Sequence, residues 1–183
     1  AYYVDQGVRV VVATCTGGER GEILNPRMES PENEARLPEL RREEMAAAAK
    51  ILGIEQVWLG YVDSGMGPDV EPDTFAAQDV DVAAGRLVKV IRELRPHVLT
   101  TYDENGGYPH PDHIMTHKVS MAAVEAAADP DAWPEHGPAW ATPKVYYDTT
   151  LHRGRFAALD RAMHAAGLES PFTEWLSDWA EDP

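Results

Sequence analysis

Residues 97–128 read HVLTTYDENGGYPHPDHIMTHKVSMAAVEAAA, and three patterns follow one another within them. Residues 97–102 are a short run of β-branched and apolar side chains, the composition of a strand buried on both faces. Residues 103–113 hold paired glycines and two prolines, which punctuate a loop. Residues 114–128 place apolar side chains at near-helical spacing and stop before Asp129-Pro130. A buried strand leading through a loop into a helix is the repeating unit of an α/β fold.

The unit recurs on either side. Runs at 8–14, 56–61 and 144–148 read as further strands. Helical patterns at 37–52, 80–94 and 153–166 end at Gly53, Arg95-Pro96 and Gly167. Apolar strands flanked by helices predict a doubly wound, mainly parallel sheet with helices on both faces. Nothing divides residues 1–183 into two domains. The opening AYYVDQG reads as the last turns of a helix closed by Gly7, so a domain truncated at its N-terminus is expected, with truncation at the C-terminus as well.

Composition narrows the function. Sixteen Lys+Arg against 31 Asp+Glu give a formal net charge of −15. Such a surface repels phosphate backbones and anionic membranes, so no nucleic-acid or membrane partner is expected and a small molecule fits better. One cysteine, Cys15, excludes an intrachain disulfide. No apolar run reaches the roughly 18–20 residues of a membrane helix, and no signal peptide is visible, which makes the cytoplasm the expected location. Oligomeric state is not legible in the sequence.

Three strand ends gather polar residues: the loop from Thr16 through Gly17-Gly18-Glu19-Arg20-Gly21 to Glu22, the turn Asp63-Ser64-Gly65-Met66, and residues 103–113. In an open α/β sheet such loops face one crevice. The glycine-rich loop lacks the Lys-Ser/Thr of a phosphate loop and is not GxGxxG, so a nucleotide site is not indicated. Two further irregular stretches, 23–36 and 63–78, belong to the same rim, and 130–143 is a connector.

The segment Tyr108-Pro109-His110-Pro111-Asp112-His113 is the strongest chemical signal. Neutral imidazole is a good zinc ligand, and a neighbouring carboxylate can fix a ring tautomer. With His113 opening the helix and His110 on the loop, one ring can bind metal while the other moves a proton. The plainer alternative leaves Asp112 as a helix cap and both histidines as surface residues. His97 reads as structural, His117 as a residue that could support His113, and His136, His152 and His164 as surface positions. Cys15 reads as packing. Trp175 and Trp179 read as a docking face.

The stretches TCTGGERGEILNP, ELRREEM, WLGYVDSGM and TTYDENGGYPHPDHIMTH resemble the LmbE/PIG-L family of zinc-dependent N-deacetylases and amidases, and within it the branch acting on mycothiol S-conjugates. The resemblance covers most of the chain to about Leu176. It implies an LmbE-like fold whose first strand, with an HPDDE motif supplying two zinc ligands and a general base, lies before Ala1. It further implies His113 as a zinc ligand, His110 as the acid or oxyanion stabiliser, Asp112 as the residue that tunes it, and Tyr108 as a carbonyl-polarising group. Glu22, Arg41 and Asp63 match positions that hold the sugar. The implied activity is hydrolysis of the amide of a thiol–sugar conjugate. The alternatives are N-deacetylation of an N-acetylglucosaminyl substrate and a non-catalytic sugar-binding domain.

Overall fold

The computed structural model describes residues 1–23, 25–67, 70–148 and 152–178. The elements run α1 (Tyr2–Asp5), β1 (Val11–Thr16), α2 (Pro31–Ala35), α3 (Leu37–Leu52), β2 (Glu55–Tyr61), α4 (Val80–Leu94), β3 (Val98–Tyr102), α5 (Pro111–Ala128), β4 (Lys144–Asp148), α6 (Arg153–Ala165) and α7 (Phe172–Asp178). Short 3-10 turns lie at Phe75–Ala77 and Pro134–His136.

Local chemistry explains most of the boundaries. Gly7, at φ 79°, follows α1, and α3 closes on Gly53 at φ 69°, left-handed positions that cost glycine nothing. Asp79 caps α4 by accepting from the N–H groups of Asp81 and Val82. That helix stops at Leu94, before Arg95-Pro96. Residues 23–36, expected to be irregular, contain α2, with Ser30 accepting from the Asn33 N–H and Pro31 opening the helix.

Both strand pairings are parallel, as the alternation of elements predicts. The first strand begins at Val11, not at residue 8, because the Val8 N–H turns back to the Tyr3 carbonyl at 3.0 Å. It continues to Thr16 through an irregularity between Thr14 and Thr16. Among the described residues the strands form two parallel pairs, β1–β2 and β3–β4. Residues Val12–Thr16 of β1 and Tyr102 of β3 line a common cavity, so the two pairs border it and do not pair with each other.

The core lies where α4 and α5 pack together. Ala83 and Ala84 on α4 and Ala123 and Ala127 on α5 are buried and small, which lets the two helices approach. Val88, Ile91, Val119 and Phe75 supply bulk, each fully buried side chain contributing about 1.5–3 kcal/mol. The Arg86 guanidinium sits 4.2 Å above the Tyr61 ring and donates to the Leu59 carbonyl, fastening α4 to β2. α5 rests on β3, where Thr101 donates to Ser120 at 2.9 Å. This fixes the strand end, the loop and the start of α5 as one unit. At the far end, Trp175 packs edge-on against Phe156 at 4.8 Å, joining α7 to α6, and Trp179 lies outside the described residues. No helix among the described residues is long and apolar enough to cross a membrane.

Candidate active site

A cavity of about 460 Å³ opens where the three polar strand-end loops meet. The loop after β1 contributes Arg20 and Gly21, the turn after β2 contributes Asp63, Gly65 and Met66, and the loop after β3 contributes Tyr108, His110, Asp112 and His113. The crevice anticipated from the strand ends is therefore one cavity, of the size that takes small molecules.

The loop into α5 is held by its glycines. Gly106, at φ 74°, has its α-carbon packed so closely that a side chain there would come within 2.7 Å of the His113 Cβ. Asp103 accepts from the N–H groups of Asn105 and Gly107, which tightens the turn. α5 then begins at Pro111, three residues earlier than the apolar spacing indicates. His110 is the N-cap, with its Nδ1 accepting from the Asp112 N–H at 3.1 Å. An imidazole is an unusual cap beside Ser, Thr, Asp or Asn, and so the helix start is misplaced by a reading of the pattern alone.

The two histidines hold opposite tautomers. A backbone N–H can only donate, so His110 carries its proton on Nε2, which donates to the Gly65 carbonyl at 3.0 Å. A carbonyl can only accept, so His113 carries its proton on Nδ1, which donates to the Gly106 carbonyl at 3.0 Å and leaves the Nε2 lone pair available. The His113 ring stacks on Tyr102, with centroids 4.2 Å apart and planes 8° apart, and meets Tyr108 edge-on at 4.7 Å. Burial holds His113 below the ordinary imidazole range, helped by the nearby His110, while the Gly106 hydrogen bond and Asp112 oppose it. A neutral ring with an available Nε2 is the form that binds a metal ion.

Asp112 was expected to hold the His110 ring. Its buried carboxylate goes to Ser64 instead, accepting from the Ser64 N–H at 2.9 Å and from the Ser64 hydroxyl. His117 donates through Nδ1 to the Tyr102 carbonyl at 2.9 Å and so supports the ring stacked on His113. Cys15 contacts Thr116 across the gap between β1 and α5, and burial pushes its thiol up to about 11, against the Thr116 hydrogen bond. That favours a neutral packed thiol over a thiolate nucleophile.

Of the sugar-holding candidates, only Asp63 lines the main cavity. Its carboxylate accepts from the Gly65 N–H at 2.7 Å, and its own N–H donates to Glu19. Arg41 donates to the Glu22 carbonyl at 2.9 Å and to the Glu44 carboxylate at 3.0 Å. It lines a second, smaller cavity of about 210 Å³ with Met28, Leu37 and Leu40. The Glu22 side chain is exposed.

The family profile described as "PIG-L: GlcNAc-PI de-N-acetylase" matches residues 1–124. The chain belongs to that family. A "Mycothiol S-conjugate amidase" from Streptomyces coelicolor is 53% identical over 99% of this chain and 64% of its own length. A "1D-myo-inositol 2-acetamido-2-deoxy-alpha-D-glucopyranoside deacetylase 1" from Catenulispora acidiphila is 45% identical over 94% of this chain and 56% of its own. This PIG-L chain thus spans 56–64% of the length of those two relatives. Among solved structures, the N,N'-diacetylchitobiose deacetylase of Pyrococcus horikoshii superposes with a TM-score of 0.61 at 20% identity, covering 88% of this chain and 59% of that one. At that identity the likeness concerns the fold.

Family resemblance implies zinc, and the donors can be tested against it. His113 fits as one ligand, but among the described residues no group of three or more His, Cys, Asp or Glu is placed to hold a metal ion. The described residues of this PIG-L chain therefore fall short of the three or four donors of a complete centre.

Proposed function

We propose that this protein hydrolyses the amide bond of mycothiol S-conjugates, releasing a mercapturic acid and glucosaminyl-inositol, a detoxification step in the cytoplasm. The observation that carries the reading is the pair of opposite histidine tautomers on one cavity wall, beside an exposed Tyr108. Amide hydrolysis needs a donor for the carbonyl oxygen, a proton for the leaving nitrogen and an activated water. The first two needs have candidates here. The Tyr108 hydroxyl donates to the carbonyl oxygen as it gains charge. His110 presents an Nε2–H whose resting partner is only a backbone carbonyl; once the ring is protonated at Nδ1 as well, the imidazolium passes its Nε2 proton to the nitrogen as the C–N bond breaks and is left neutral. Zinc, when bound, would lower the pKa of a coordinated water, and His113 is the described residue that would help hold it. Asp63 and Gly65 border the space for the sugar.

A second reading, N-deacetylation of an N-acetylglucosaminyl-inositol, is favoured by the 45% identity to a deacetylase of that name. The two differ in the acyl group removed. Assaying amine release from a mycothiol S-conjugate and from N-acetylglucosaminyl-inositol with one preparation separates them. The conjugate is expected to be the faster substrate. Faster turnover of the N-acetyl compound would assign deacetylation, and inertness towards both would overturn the hydrolase reading.

A further inference from the structure

Ser64 was not singled out by its sequence context, yet it is among the most buried polar residues, at 5% exposure, and its partner Asp112 is at 6%. A buried carboxylate must have its oxygens satisfied, and Ser64 satisfies both: its N–H donates to one and its hydroxyl to the other. The hydroxyl oxygen in turn accepts from the Ala76 N–H at 3.2 Å, so its proton is directed to Asp112. The next residue, Gly65, at φ 71°, presents the carbonyl that accepts from His110 Nε2. The Asp112 N–H meanwhile holds His110 Nδ1. Ser64 and Gly65 of one turn thus grip Asp112 and His110 at the start of α5, and His110 is clamped at both ring nitrogens.

We propose that Ser64 is a positioning residue for His110. By fastening Asp112 it sets the Gly65 carbonyl and the Asp112 N–H against opposite ring nitrogens, which selects the Nε2–H tautomer and fixes the ring on the cavity wall. The role in turnover rests on the reading of His110 as the proton carrier; the clamp itself does not. Loss of the hydroxyl leaves the buried carboxylate half satisfied, and relaxation of the turn moves the Gly65 carbonyl off the ring.

The test combines kinetics with ¹⁵N NMR of the histidine rings in the full-length protein, with His110 assigned by loss of its signals in His110→Asn. In the wild type, Nε2 of His110 is expected to carry the proton and Nδ1 to be bare; any other tautomer overturns the proposal without recourse to a variant. Ser64→Ala is expected to lose that single-tautomer signature and to lower kcat by about 10–100-fold, the usual worth of a partner that orients an active-site histidine. Ser64→Thr, which keeps the hydroxyl, is expected to retain both. An unchanged tautomer in folded Ser64→Ala overturns the proposal, whatever its kcat. A wild type inactive on both amide substrates, but with a His110 tautomer that depends on Ser64, overturns the hydrolase reading and leaves the clamp standing.

Discussion

His113 owes its orientation to groups that a motif does not name. Gly106 supplies the carbonyl for its Nδ1, Tyr102 the face beneath it, and His117 the support for Tyr102. The HPDH motif marks which side chains can do chemistry, and His110, His113 and Tyr108 do come together as their spacing suggests. It does not mark which atoms bond to which, since the tautomers depend on Gly65 and Gly106, and Gly65 lies 45 residues from His110 in the sequence. For the same reason Asp112 was read with its sequence neighbour, whereas its carboxylate is committed to Ser64, 48 residues away. Gly106 offers the sharpest residue-scale prediction. Alanine there would hold a left-handed φ and press on the His113 Cβ, two costs of about 1–3 kcal/mol in strain and displaced packing. Gly106→Ala is expected to lower unfolding free energy by about that amount and to reduce turnover, read by urea denaturation and by assay. Wild-type values in both would show that the close approach is not required.

At the scale of elements, strands and helices were legible wherever a single face or a run of apolar side chains dominates. α3 and α4 match the periodic pattern, and β4 matches its run. Boundaries shifted where polar backbone partners intervene, as at Val8, which bonds back to α1, and at Pro111, where a histidine caps α5. The end of α5 illustrates a feature that pattern cannot show. Arg92 of α4 is buried, and its guanidinium donates to the carbonyls of Ala126, Ala127, Asp129, Trp133 and Gly137. In the sequence Arg92 is one of a row of charged residues closing a helix. In the fold it satisfies the last carbonyls of its neighbour and the connector beyond, a task helix ends otherwise leave to water or glycine caps. Arg92→Leu keeps the volume apolar but strands those acceptors. It is expected to cost about 3–5 kcal/mol of stability by urea denaturation. A loss below about 1 kcal/mol would mean that water replaces the guanidinium there.

For the molecule as a whole, α/β alternation and parallel pairing follow from apolar strand runs separated by helices, and the polar strand ends do converge on one cavity. The separation of the described strands into two pairs could not be read from those runs, because strand order depends on long-range pairing rather than on any local pattern. Relatives named as an amidase and a deacetylase match nearly all of this chain, and the chain covers 56–64% of their length. The central claim is that His110 moves a proton in amide hydrolysis. It is tested most directly by kcat of the purified full-length protein and its His110→Ala variant on a mycothiol S-conjugate, each checked for folding. The account predicts a fall of about 10²–10⁴-fold in the folded variant, the usual worth of a positioned proton-transfer group. A kcat within about threefold of wild type would contradict it, being far less than any such group contributes.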